Sequence, residues 1–168
     1  MATRKSIWIM IGILIIATGL MGSATKAVAQ TAERIYNDWI AAWSSYDAEK
    51  LLSLYTDDCV YEDVAMGKVN HGKEELRDFY SGTFAAFPDF KVESKSFFVS
   101  GDWVGSEWVM SGTHKGDLPG MPATGKSFSV RGASVLELKG GKIKRSSDYW
   151  SLADFLRQIG MMPESPPK

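Results

Sequence analysis

Two side chains in the second half of this 168-residue chain could handle a proton, Asp148 and His114. Asp148 lies in SSDYWS (Ser146 to Ser151). On a strand, alternation puts Ser146, Asp148 and Trp150 on one face and Ile143, Arg145, Ser147 and Tyr149 on the other. If Trp150 points inward, Asp148 does too. A carboxylate beside indole and apolar walls is poorly hydrated, so its pKa rises toward neutrality, where a general acid or base works best. The alternatives are an ion pair with a cation such as Arg131, or a cap on a backbone group. Arg131 shares a face with Ala133 and Val135, and reads either as that partner or as a solvated outer residue. His114 ends a strand whose bulky face is Val104, Ser106, Trp108, Met110 and Gly112. It reads either as a ring that hydrogen-bonds the next turn or as a ligand-contacting, proton-handling group.

These groups need a frame to hold them. Ala32, Ile35, Trp39, Ala42, Trp43 and Tyr46 recur at helical spacing over Thr31 to Ser45, with Thr31 as a cap. Asp47 opens a second helix bearing Leu51, Leu52 and Tyr55. Cys59 to Asp63 reads as a short strand, Met66 to Gly72 as a turn-rich link, and Lys73 to Phe87 as a third helix stopped by Pro88. From Phe90 the period changes to two. Strands follow at Phe90 to Ser100, Trp103 to His114, Ser127 to Leu138 and Lys142 to Trp150, the last pair joined by Gly140-Gly141. Gly105, Gly112 and Gly132 inside them predict bulges or bends. Ser151 and Asp154 open a short C-terminal helix that Gly160 stops.

The predicted class is α+β: a curved antiparallel sheet of four long strands and one short, wrapped on N-terminal helices. A hollow is left between the layers. Trp39, Trp43, Tyr55, Tyr61, Phe79 and Phe84 each read as core when taken singly. Together with Trp108, Met110 and Trp150 they suit the lining of an apolar pocket. Glu62 and Asp63 read as surface or as pocket mouth.

Arg4 and Lys5, an apolar run from Ile7 to Met21, and Ala27-Val28-Ala29 have the order of a secretory signal peptide over residues 1–29. The run is short for a spanning helix. The expectation is a secreted or periplasmic protein without a stable membrane anchor after cleavage. One domain covers 30–162, with a loose tail at 163–168. Cleavage would remove cations only, leaving an acidic surface that argues against nucleic acid as partner. With one cysteine and two histidines, and without GxGxxG, Walker, HExxH or GxSxG patterns, no metal or organic cofactor is expected. What remains is acid–base chemistry on a small hydrophobic molecule, or binding of one.

Four stretches carry a resemblance: AAWSSYDAEKLLSLYTDDCVYED (Ala41 to Asp63), FPD (Phe87 to Asp89), SGTHKGDLPGMPATGK (Ser111 to Lys126) and SDYWSLADFLRQIG (Ser147 to Gly160). From Ala32 to Met162 the chain resembles the SnoaL-like polyketide cyclases of the nuclear-transport-factor-2-like superfamily. The resemblance implies a cone-shaped α+β fold, a homodimer formed through the open sheet face, and a cofactor-free pocket. It also implies that Asp148 occupies the position of the aspartate that acts as general acid and base in an intramolecular aldol ring closure. His114 matches the family's Gly-Thr-His histidine, a pocket or loop-ordering residue. Ser151 stands where many relatives have an acid, and caps the helix equally well.

Overall fold

The computed structural model describes residues 26–163. Most of the expected signal peptide, residues 1–25, and the tail from residue 164 lie outside the described residues.

The first helix, α1, occupies residues 26–43. Its buried positions, Ala32, Ile35, Tyr36, Trp39, Ala42 and Trp43, are three or four apart, so one stripe faces the sheet. Thr31 is not a cap here: its hydroxyl donates to the Ala27 carbonyl at 2.9 Å, one turn inside the helix. α2 (Ala48–Ser53) is capped by Asp47, whose carboxylate accepts from the Lys50 N–H. β1 (Tyr55–Asp63) begins four residues before the expected Cys59 and takes Tyr55 off the helix. β2 (Lys68–His71) forms where only a link was expected. α3 (Gly72–Ala86) buries Leu76, Tyr80 and Ala86. β3 (Lys91–Ser100), β4 (Trp103–Thr113), β5 (Ser127–Lys139) and β6 (Lys142–Trp150) follow the period-two pattern. α4 (Leu152–Gln158) starts at Ser151, whose hydroxyl accepts from the Asp154 N–H at 3.2 Å.

The architecture is the α+β one read from the sequence, with an open curved sheet. The sheet has six strands in the order β2-β1-β6-β5-β4-β3. It is mixed rather than wholly antiparallel, because β1 and β6 run parallel, Tyr61 beside Ser146 and Asp63 beside Asp148. A parallel pair needs a long crossover, and here most of the chain between the two strands serves as that crossover. Asp89, from the FPD step, clips the start of β3 to the end of β4 by accepting from the Thr113 N–H and hydroxyl at 2.8 and 2.7 Å.

The strand glycines do not mark bulges. The β4–β5 register runs unbroken from Trp103↔Glu137 to Thr113↔Ser127, across Gly105, Gly112 and Gly132. Among the four long strands the register shifts fall instead at Ser94/Ser96 and Glu137/Leu138. The second moves Ile143 inward, although it was expected on the outer face with Arg145. Gly132 makes room for a ring: a Cβ there would lie 2.1 Å from the Trp108 indole, its cross-strand partner. Gly105 lies likewise under Phe98, but Phe98 is 67% exposed and free to swing away, whereas Trp108 is 4% exposed. Gly132→Ala should therefore cost about 1–3 kcal/mol by overpacking, and Gly105→Ala distinctly less. Urea denaturation of the two variants checks the difference; equal losses would mean that Trp108 is not boxed in.

Candidate active site

Between helices and sheet lies a cavity of about 110 Å³. α1 contributes Trp39 and Trp43; α3 and its end contribute Phe79, Thr83 and Phe87. The sheet contributes Tyr61, Asp63, Val92, Trp108, Met110, Phe128, Asp148 and Trp150, and Phe90 stands just before β3. Met66, Leu118 and Phe155 complete the wall. Met66, 39% exposed, marks the mouth. Among the described residues, the wall holds no Lys, Arg or His, and its only carboxyls are Asp63 and Asp148.

Asp148 is 5% exposed. Alternation from Ser146, which is fully buried, turns it inward. Tyr61 donates to Oδ2 at 2.8 Å and Ser134 to Oδ1 at 2.6 Å. The Trp108 indole N–H donates to the Ser134 oxygen at 2.7 Å, so the serine proton is left to point at Asp148. The seat that Gly132 provides thus sets the direction of the bond that Ser134 makes to the carboxyl. Burial pushes the Asp148 carboxyl up to about 7, against the pull of the Ser134 and Tyr61 bonds and helped by the charge of Asp63. Burial of the Tyr61 hydroxyl raises its pKa well above the ordinary phenol value, which keeps it a neutral donor.

Asp63 is also 5% exposed and also raised by burial. Its Oδ1 accepts from the Met66 N–H and from the Trp150 indole, both at 3.0 Å. Of the two sites weighed for it, the structure chooses the cavity, whereas Glu62 accepts from Arg145 and Ser147 at 3.0 and 3.1 Å, away from the cavity wall.

Of the residues expected at a site, Trp39, Trp43, Tyr61, Trp108, Met110 and Trp150 line the cavity. Three residues do not. Arg131 points outward, its side chain 80% exposed with Glu107 at 3.4 Å, because its strand position alternates with the inward Val130 and Gly132. Arg131 is therefore not the partner of Asp148. Tyr55 is buried outside the wall, accepting from the Trp39 indole at 3.0 Å and sharing a bond with Ser146 at 3.0 Å. His114 is fully buried but does not line the cavity. Its ring packs against Phe87 and Phe155, with Nδ1 at 3.3 Å from the Thr124 hydroxyl. Its backbone holds both ends of the loop, donating to Lys126 O at 2.9 Å and accepting from Gly125 N at 2.8 Å. Burial lowers its pKa, so the ring is neutral. Adjacent amides of Lys115 and Gly116 bond the Ala86 carbonyl, docking the loop on the end of α3.

The buried acid has a thermodynamic signature. Its folded pKa lies above the unfolded value of about 3.9, so the native state binds the extra proton and stability falls as pH rises from about 4 through about 7. Asp148→Asn should match the native protein in stability at pH 3.5, below both values, and exceed it at pH 8. Denaturation curves at the two pH values test this; parallel losses at both would place the carboxyl in water.

The family profile described as SnoaL-like polyketide cyclase matches residues 33–159. The chain is 31% identical over 109 residues to the cyclase aurE of Calcarisporium arbuscula, a match covering 62% of this chain and 77% of that one. It is 31% identical over 77 residues to an aklanonic acid methyl ester cyclase of Streptomyces peucetius, covering 46% of this chain and 53% of the relative. The chain thus spans about half the length of the ester cyclases it matches. Among solved structures it is similar to a protein of ketosteroid-isomerase-like fold from Catenulispora acidiphila, in complex with trimethylamine. That match has TM-score 0.68 and 29% identity, and covers 79% of this chain and 97% of the other.

Proposed function

The chain belongs to the SnoaL-like polyketide cyclase family, and on that premise we propose that it performs cofactor-free acid–base chemistry of the cyclase, isomerase or lyase type on a small hydrophobic carbonyl compound. The observation that supports this most is a single one. A carboxyl pushed to about 7 faces an apolar cavity, with its two oxygens steered by Tyr61 and Ser134. At that value Asp148 is present in both protonation states near neutrality, so it can give a proton to a carbonyl oxygen and take one back. Trp39, Trp43, Trp108 and Trp150 hold the substrate and keep bulk water from the carboxyl. Native mass spectrometry of the purified protein should find a co-purifying small molecule. With that molecule, Asp148→Asn should keep affinity and lose about 10²–10⁴-fold in turnover; unchanged turnover removes the role.

A second reading is a non-catalytic carrier of a small molecule, favoured by the trimethylamine complex of the structural neighbour. It differs in outcome: Trp108→Ala abolishes binding, Asp148→Asn leaves affinity unchanged, and no product forms.

The proposal includes export, with cleavage before Gln30, and a homodimer through the outer sheet face. Phe98, Trp103, Val135 and Tyr149 lie on sheet strands and are 67, 47, 41 and 47% exposed. Light scattering and intact mass on protein recovered from the cell envelope should give a dimer of chains beginning at Gln30. A monomer, or a chain that keeps Met1, removes the corresponding part.

A further inference from the structure

Asp63 has no assigned part in the chemistry, yet it shares the cavity wall with Asp148. The two are register partners on the parallel strands β1 and β6. Neighbouring strands lie about 4.8 Å apart and register partners point to the same face, so two carboxyls enter one apolar hollow side by side. Their hydrogen-bond partners differ in kind. Both donors to Asp63, the Met66 amide and the Trp150 indole, are N–H groups that can never accept. They favour the ionised form. Both donors to Asp148 are hydroxyls, and Tyr61 can turn to accept from a protonated carboxyl. Two carboxyls this close do not both ionise freely, and the partners decide which one does so first.

We propose that Asp63 is the second catalytic carboxyl of the site, the ionised base that works against a protonated Asp148. The assignment rests on the acid–base reading above and extends it to the substrate class, a carbonyl compound with an acidic C–H next to the carbonyl. Both fixed donors fall on Oδ1 of Asp63, which leaves Oδ2 to take that proton. The C–H electron pair becomes the enol double bond. The carbonyl π pair moves to oxygen, which takes the proton held between Asp148 and Tyr61. Asp63 is now a carboxylic acid and Asp148 a carboxylate. In ring closure the enol carbon attacks a second carbonyl carbon. The oxygen of that carbonyl takes the Asp63 proton, and the enol O–H returns its proton to Asp148. Both acids are restored and no other reactant is consumed. Separated environments for a pair of titratable groups are the usual mark of such a division of roles.

Other charges near Asp63 leave the assignment intact. From β2, its register partner Lys68 is exposed, with its ammonium 5.9 Å from the Phe79 ring. From β1 and α3 the neighbouring titratable groups are the phenols Tyr61 and Tyr80, both raised by burial and neutral. From β6 it is Asp148 alone, which feels the Asp63 charge.

The test needs no natural substrate. Carboxyl ¹³C NMR on aspartate-labelled protein follows both groups through pH, with Asp63→Asn and Asp148→Asn assigning the signals and thermal melting confirming that both variants fold. Asp63 should ionise at lower pH than Asp148, and Asp63→Asn should move the Asp148 midpoint down. In D₂O the native protein should accelerate α-hydrogen exchange of cyclopentanone or cyclohexanone, and Asp63→Asn should lose about 10²-fold or more of that acceleration. Loss in Asp63→Asn with retention in Asp148→Asn keeps Asp63 as base and removes the role of Asp148. Retention in Asp63→Asn with loss in Asp148→Asn overturns the assignment and leaves Asp148 standing. Asp63 ionising after Asp148, or native protein without exchange on either ketone, overturns it as well.

Discussion

Everything at the site follows from withholding water from one carboxyl. Asp148 is 5% exposed, and its hydration is replaced by two hydroxyl donors and a wall of rings. Two neutral hydrogen bonds are a poor substitute for a hydration shell, because an ionised carboxylate has room for about four. The balance therefore tips toward the neutral form, and burial is the largest cause of the shift. A cation on the wall would have reversed this. Arg131, the cation named as its candidate partner, is turned outward by strand alternation, and that outward turn helps to leave the acid poised.

The support for that carboxyl runs two residues deep. Trp108 donates to Ser134 and Ser134 to Asp148. The indole can take this position only because Gly132 lacks a Cβ. A backbone choice on β5 thereby orients a hydroxyl proton on the same strand, and the hydroxyl orients the Asp148 carboxyl. The loop from His114 to Lys126 contributes from the other side, pressing Leu118 into the wall while the Lys115 and Gly116 amides bond the Ala86 carbonyl of α3. Its histidine serves this packing, in contact with Phe87 and Phe155 rather than with the acid.

Much of this was legible in the residues. The 3.6 and 2.0 periods located α1, α3 and the four long strands, and all of these but β3, which buries Val92 alone, keep one face from water. Alternation in SSDYWS placed Asp148 correctly, and the bulky face of β4 placed Trp108 and Met110. What escaped was non-local. The parallel pairing of β1 with β6 joins residues more than eighty positions apart, and no turn or spacing announces it. Asp63 was therefore undecided between surface and mouth. Tyr55 fitted the helical stripe of α2 and the first position of β1 equally well. The strand glycines carried a true signal with two meanings. Glycine permits a bend and also permits a ring to lie flat, and only the cross-strand partner says which.

The parallel strap between β1 and β6 also bears on how the molecule comes into being. Its two acids come from strands that the chain reaches early and almost last, so bringing them together closes a loop of most of the fold. Such contacts raise contact order and slow the search for the native state. A nascent chain lacking its final forty residues holds every helix of the N-terminal half and most of the aromatic lining, but not Asp148. The carboxyl pair is complete only when the last strand lies between its two neighbours.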